Sequence, residues 1–292
     1  MMRNGIFTAA FAATAILSAV VFSTTDALAQ EAKQWGIIDF SVSHLRKAPD
    51  YESPLETQEL MGTVVEIVGK QGWWLQIRTP QPYTAWCTDM GVHRTDEAGI
   101  EDWISSRRYI VTSPHSAIYS DRTNRSDVVC DLVEGDVVRA VLGKSHPRVR
   151  YYGLPIRRDG WAKVQTPSGK TGWVRTADVR DFYKWAAENA ATADRAAAGK
   201  AEGKEVEKTV GKSGKKSADK KNARKRSKAE DKAAKERETA GKAVVETAMR
   251  FVGTPYLWGG MSPDGFDCSG LVRFAYFMNG FMLPRNADQM AL

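Results

Sequence analysis

The sequence predicts a multidomain protein in which two small all-β barrels are followed by an α+β segment, with a charged spacer between. Three observations predict it. A strand-like pattern recurs across residues 33–183, the composition changes abruptly from residue 184, and Cys268 stands at the head of an apolar helical pattern.

In chain order, the first element has the form of a secretory signal. Arg3 supplies a charged start, Ile6 to Phe22 an apolar run, and Ala27-Leu28-Ala29 a small-residue cleavage site before Gln30. Cleavage after residue 29 predicts an exported protein, periplasmic or extracellular, with no integral membrane segment. Export permits disulfides, yet there are only three cysteines, Cys87, Cys130 and Cys268. Cys87 and Cys130 fit either two separate buried thiols or one bridge. Both alternatives leave Cys268 as a free thiol.

The second element is an internal repeat. Trp74-Leu-Gln-Ile-Arg-Thr-Pro returns as Trp161-Ala-Lys-Val-Gln-Thr-Pro, and Trp86 as Trp173, at an offset of 87 residues. Upstream, Leu45, Gly62, Val64 and Val65 return as Ile118, Gly135, Val137 and Val138 at an offset of 73. An extra loop in the second copy, about 144–160, accounts for the difference. MGTVVEIV and EGDVVRAVL read as strands opening at a glycine, and TPQP and TPSGK as turns. Each copy is large enough to hold its own small core, with Trp74, Trp161 and Trp173 as packing anchors.

The third element, residues 184–242, reads as a linker. Between 191 and 242 there are 17 Lys or Arg against 9 Asp or Glu, so the chain's net charge of +7 resides there. The remaining residues are near neutral, and this argues against a nucleic-acid-binding fold. KSGKKSADKKNARKRSK offers too little apolar surface to offset its ordering entropy. It reads as a solvated, partly helical tether, with contact to a polyanion as the sharper alternative.

The last element, residues 243–292, carries the chemistry. Val244, Val245, Ala248, Met249, Phe251 and Val252 have helical spacing that Gly253 and Pro255 end. After a Gly/Pro/Asp loop, Cys268 opens a second helix with Leu271, Val272, Ala275 and Tyr276 along one apolar face. A helix N-terminus carries about half a positive charge and unpaired N–H groups, which favour a thiolate and can hold an oxyanion. By itself, a cysteine in that position is a weak signal, since most single cysteines are structural.

The longer strings are more specific. The two copies, bounded at 33–97 and 105–183, resemble bacterial SH3 (SH3b) domains in the tandem arrangement that precedes NlpC/P60 cysteine peptidases. GTPYLWGG, GFDCSGLV and LPRNADQ resemble the NlpC/P60 family itself, a papain-like α+β fold. The resemblance implies Cys268 as nucleophile and Tyr256 with its hydroxyl facing the active site. It implies Ser269 and Trp258 along the substrate groove and Asp267 as a helix cap. Arg285 and Asn286 lie where related enzymes have a substrate-facing loop, although Asn286-Ala287 stands where some relatives carry Asp-Ser. Tyr83 resembles a tyrosine by which the first SH3b domain binds the free amino end of the substrate; its plainer reading is a strand aromatic. The implied activity is that of a γ-D-glutamyl-L-diamino acid endopeptidase. Such enzymes cut peptidoglycan stem peptides, or released muropeptides, after an L-Ala-γ-D-Glu with a free N-terminus. No cofactor or metal is implied.

The family also places a histidine on a strand tens of residues after the cysteine. Here His44, His93, His115 and His146 all precede it, in surface or loop contexts. The expectation is an incomplete catalytic domain that continues past Leu292, and no hydrolysis by these 292 residues as they stand. Phe274, Phe277, Phe281 and Met282 would then lack a partner surface. The competing reading is a catalytically dead wall-peptide-binding protein whose basic linker contacts a polyanion.

Overall fold

The computed structural model describes residues 33–141, 160–189, 231, 234–235 and 238–290. The expected signal at 1–29, nearly all of the loop at 144–160, His146 and most of the basic linker lie outside the described residues.

The repeat reappears as topology. The first sheet contains β1 (Gln34–Ile38), β2 (Val42–Arg46), β3 (Leu55–Leu60), β4 (Val64–Gln71), β5 (Trp74–Arg78), β6 (Thr84–Thr88) and β7 (Val92–Thr95). Their order in the sheet is β3-β2-β6-β5-β4-β1-β7. After helix α1 (Glu97–Ser105) come β8 (Arg108–Val111), β9 (His115–Tyr119), β10 (Val128–Val133), β11 (Val137–Ala140), β12 (Trp161–Gln165), β13 (Thr171–Arg175) and β14 (Val179–Asp181). Their order, β10-β9-β13-β12-β11-β8-β14, repeats the first strand for strand, and neighbours pair antiparallel in both.

Each sheet encloses its own core, as period-2 patterning requires. Ile38, Leu45, Val65, Leu75, Ile77 and Cys87 are buried inside the first; Val111, Ile118, Val138, Val164 and Val174 fill the second. Cys87 and Cys130 are separate free thiols, one in each sheet. Burial pushes the Cys87 thiol up to about 12 and Cys130 up to about 11. Of the three tryptophans expected as anchors, only Trp74 is buried. Trp161 and Trp173 are half-buried, with the Arg175 guanidinium over one ring and Arg122 over the other, because they lie on the sheet's outer face.

The two units are joined through one pair of facing turns. Met61 inserts into the second core, its carbonyl accepts from Val137 N at 3.0 Å, and its N–H donates to Asp136 Oδ1 at 3.0 Å. Asp136 Oδ2 accepts from Ser41 Oγ and Val133 N, each at 2.8 Å, so this fully buried carboxylate meets three donors. Gly62 and Gly135, equivalent in the repeat, both need positive φ, 87° and 98°. A Cβ on Gly62 would stand 2.6 Å from the Val137 carbonyl oxygen, and one on Gly135 2.6 Å from Leu60 Cδ1. The repeated glycine thus serves both the turn and the close approach of the units. α1, capped by Asp96, buries Trp103, whose Nε1 donates to Gly62 O at 3.1 Å.

Helix α2 (182–189) follows the second sheet directly. The linker expected from residue 184 therefore begins inside a packed helix: Trp185 is buried against Ile37, Trp103 and Ile110. After the undescribed stretch come helix α3 (238–249), the hairpin β15 (Met261–Ser262) and β16 (Gly265–Phe266), α4 (Cys268–Met278) and the short α5 (Ala287–Met290).

The buried face of α4 is rotated from the one the apolar pattern suggests, with Ala275 common to both. Phe274, Ala275, Met278 and Arg273 are covered, Leu271 and Tyr276 are half-buried, and Val272 is exposed. Phe274 is only 2% exposed and packs with Leu60, Val133, Phe251 and Phe266; Phe277 stacks at 5.6 Å from Trp185. The partner surface expected to be missing for these two phenylalanines is supplied by the β units together with Trp185 of α2 and the segment's own Phe251 and Phe266. Phe281 is half-buried beside Tyr276, and Met282 is exposed.

The C-terminal segment is also held by charge. Arg250 Nη2 reaches Glu134 Oε1 at 2.6 Å, and the Glu134 side chain is 1% exposed. Burial raises the Glu134 carboxyl and Arg250 pulls it back, with the raise dominant. The folded state therefore binds this proton more tightly than the unfolded chain. The stabilisation is complete below the ordinary glutamate value of about 4.3 and is lost as pH rises through the raised one. Glu134→Gln is expected to flatten that part of the decline in urea-unfolding free energy above about pH 4.3. A variant slope identical to wild type would contradict this assignment.

Candidate active site

The site is built from a loop that folds back on the start of α4. Gly253, at φ 97°, ends the turn after α3. The chain then runs beside β16: Tyr256 bridges Phe266, and Leu257 N donates to Phe266 O at 3.0 Å. Gly260 O accepts from Asp267 N at 3.1 Å. A Cβ on Gly270 would lie 2.0 Å from that same Gly260 oxygen. Only glycine lets the first turn of α4 seat against the loop, which accounts for the Cys-Ser-Gly order.

Asp267 is the N-cap of α4, as its position beside the cysteine suggests. Its carboxylate accepts from Gly270 N at 2.6 Å, Gly259 N at 3.0 Å and Ser269 Oγ at 3.2 Å. Arg285 adds two bonds, Nη2 to Oδ2 at 2.6 Å and Nη1 to Oδ1 at 3.2 Å. Burial pushes the Asp267 carboxyl up, but the bonds from Arg285, Gly270 and Ser269 outweigh it and hold the group below the usual carboxylate range. Cys268 follows immediately, exposed at the helix start. An exposed thiol in this position can attack an electrophilic carbon, with first-turn N–H groups available to a developing oxyanion.

One wall comes from the first β unit. Edge strand β3 runs along the C-terminal segment and meets it residue by residue. Leu55 O and Glu56 C lie about 3 Å from where a Gly259 Cβ would be. Thr57 Oγ1 accepts from Arg285 Nε at 2.7 Å, Gln58 Oε1 from Met261 N at 2.7 Å, and Glu59 pairs with Arg273 at 3.9 Å. Arg273 also donates to Gln81 in the turn before β6.

The residues singled out from sequence fall into two groups. Tyr256 and Trp258 are about two-thirds exposed on the loop beside Cys268. Tyr83 is half-buried on the first β unit, where it shares a cleft of about 350 Å³ with Gln81, Leu283, Arg285 and Gln289. Its hydroxyl donates to Glu56 Oε2 at 2.5 Å. Burial and the Glu56 carboxylate push Tyr83 up to about 12, so it stays a donor at neutral pH. Ser269 is buried, and its hydroxyl lies between Asp267 and Arg285. Asn286 is half-buried, and its carbonyl accepts from Met290 N at 3.1 Å in the turn of α5.

Sequence reasoning did not find Glu56, Thr57 or Gln58, and it read Arg285 only as part of a substrate-facing loop. The one available signal was the run Glu56-Thr57-Gln58-Glu59 inside a strand, where alternation should bury only half. Among the described residues, no histidine hydrogen-bonds Cys268. His44 and His115 are exposed and His93 is half-buried; His115 Nε2 stands 3.1 Å from Asp264 Oδ1, four residues before the cysteine. No helix among the described residues is long and apolar enough to cross a membrane.

Comparison with known proteins bears on this segment and on the whole chain. The family model described as the NlpC/P60 family matches residues 253–292. The chain is 25% identical over 252 residues to dipeptidyl-peptidase 6 of Lysinibacillus sphaericus, covering 86% of this chain and 72% of that protein. It is 39% identical over 56 residues to the gamma-D-glutamyl-L-lysine dipeptidyl-peptidase of Bacillus subtilis, covering 19% of each. Among solved structures, an NlpC/P60 family protein from Bacillus cereus aligns with a TM-score of 0.55 at 18% identity, over 88% of this chain and 76% of that one. That likeness is one of fold; the stretch matched by the family model is the one that holds Cys268, its Asp267 cap and Arg285.

Proposed function

We propose that this chain carries the nucleophile and the specificity wall of an exported cysteine endopeptidase of the NlpC/P60 type. In this reading residues 33–97 and 105–183 are SH3b units, residues 243–292 belong to the catalytic domain, and the substrate is a peptidoglycan stem peptide with a free N-terminal L-Ala. The bond cut joins γ-D-Glu to an L-diamino acid. The observation that carries the reading is the exposed Cys268 thiol at the Asp267-capped start of α4, walled by strand β3 of the first unit.

The chemistry follows from the geometry. The Cys268 thiolate would attack the γ-glutamyl carbonyl carbon, and N–H groups of the α4 first turn would hold the oxyanion. The C–N bond would break with the diamino acid leaving as an amine, and water would then hydrolyse the thioester to free L-Ala-γ-D-Glu and the thiol. Tyr256 and Trp258, exposed beside the thiol, offer surface for the peptide. On the first β unit, the Glu56 carboxylate with the Tyr83 hydroxyl forms a site suited to an ammonium group, and this supports a preference for a free amino end. The mechanism also needs an imidazole to take the thiol proton and return it to the leaving amine. None stands beside Cys268 among the described residues. That observation favours the second reading for these 292 residues alone, a protein that binds wall peptides without cutting them.

For the chain as it stands, the expected result with L-Ala-γ-D-Glu-L-diamino acid peptide is saturable binding without release of L-Ala-γ-D-Glu, read by calorimetry and mass spectrometry. Turnover abolished by Cys268→Ala would show that a base does reach the thiol. N-acetylating the peptide is expected to weaken binding about tenfold or more, through loss of the ammonium charge beside Glu56. Tyr83→Phe, which removes one hydrogen bond, should weaken the free peptide about three- to tenfold and leave the acetylated one unchanged. Absence of binding by either peptide would defeat both readings.

A further inference from the structure

Arg285 is 4% exposed and is the most heavily engaged cation around the site. Its guanidinium spans three elements: Nε donates to Thr57 Oγ1 on β3, Nη1 to Ser269 Oγ at 2.8 Å in the first turn of α4, and Nη1 and Nη2 to the two oxygens of Asp267. Every one of these bonds ends within one residue of Cys268 or on strand β3. Glu59 and Tyr83 on the first unit and Arg273 on α4 also stand in its field, with Glu56 against the Tyr83 hydroxyl.

Asp267 presents a conflict that this arrangement resolves. A carboxylate is a strong N-cap, and it orders the first turn of α4. Yet a negative charge adjacent to a thiol opposes formation of a thiolate. The helix start would thus be built by the group that disarms its own nucleophile. A bidentate guanidinium removes the conflict, since it neutralises the cap and leaves the capping bond to Gly270 N intact.

We propose that Arg285 is a positioning residue that neutralises the Asp267 cap beside Cys268, and so lets one carboxylate order the nucleophile's helix without suppressing the thiolate. The proposal deepens the peptidase reading and rests on it for Cys268 as nucleophile. Its own evidence is the Arg285–Asp267–Ser269 geometry. Thr57 holds the far side of the guanidinium, so the first β unit takes part in this support.

The test reads the thiol itself and needs no substrate, so it can fail independently of the peptidase reading. The rate of alkylation by iodoacetamide is measured against pH in the full chain, with Cys268→Ser subtracted as background. Cys87 and Cys130, pushed up to about 12 and about 11, contribute little at pH 7. Arg285→Met is expected to slow alkylation at pH 7 about tenfold, with the deficit narrowing as pH rises. The double variant Asp267→Asn with Arg285→Met keeps a capping side chain but removes the exposed charge, and should recover to within about threefold of wild type. Arg285→Lys, which keeps the charge, should also stay within about threefold. If Arg285→Met does not fold, Arg285→Gln, which keeps hydrogen-bond donors but no charge, carries the test: it should slow alkylation about tenfold, and a wild-type rate there would overturn the proposal equally. A wild-type rate in Arg285→Met would overturn the proposal. So would a slow double variant, because Arg285 would then serve only to hold the fold.

Discussion

Strand β3 lies at the edge of the first sheet, and its residues Thr57, Gln58 and Glu59 are all buried. An edge strand ordinarily presents its polar groups to water, and a buried polar group left unpaired costs about 1–3 kcal/mol. These three are satisfied by Arg285, the Met261 N–H and Arg273, all from the C-terminal segment. The position of the cysteine follows from that requirement. Arg273 lies one turn and a half into α4, and Arg285 grips its first turn, so matching the three polar groups of β3 sets both the depth and the rotation of the helix that starts at Cys268.

The second β unit supplies rigidity to this wall. Met61 lies in its core, Asp136 ties three donors from both units, and the facing glycines bring the two turns into contact. A strand at the rim of a single small unit would move with that unit's fluctuations. With Leu60 and Val133 jointly covering Phe274, β3 and β10 share one further apolar cluster with the C-terminal segment. The repeat is therefore more than a duplication of sequence. Two equivalent turns, each with its glycine, form a near-symmetric junction, and the helix carrying the cysteine rests across it.

Much of the organisation was legible before the structure. The two offsets of the repeat correspond to two sheets of identical strand order, because each copy carries its own turn glycine and its own alternating strands. Asp267 as a cap was legible too, since capping depends on residues within one turn. Less local features misled. Of the apolar run Leu271, Val272, Ala275, Tyr276 that suggested the buried face of α4, only Ala275 is fully buried; Arg273 and Phe274 share that face, because the surface it meets is partly charged and offers Glu59. Likewise residues 184–189 read as the start of a linker, but Trp185 finds a hole between the two units that no local pattern announces.

By itself the sequence determined what depends on short spacing: two copies of one β unit, a cysteine at a helix start, a capping aspartate before it and a glycine two residues after it. These follow from backbone sterics and local hydrogen bonding, and they are the same whatever the rest of the chain does. Only the tertiary structure decided which side chains share the cysteine's surroundings. Thr57 and Arg285 are separated by 228 residues, and Gln58 and the Met261 N–H by 203. No periodicity links such positions. Their pairing comes from the need to satisfy buried polar groups where two surfaces meet, and that need exists only once the surfaces have been brought together.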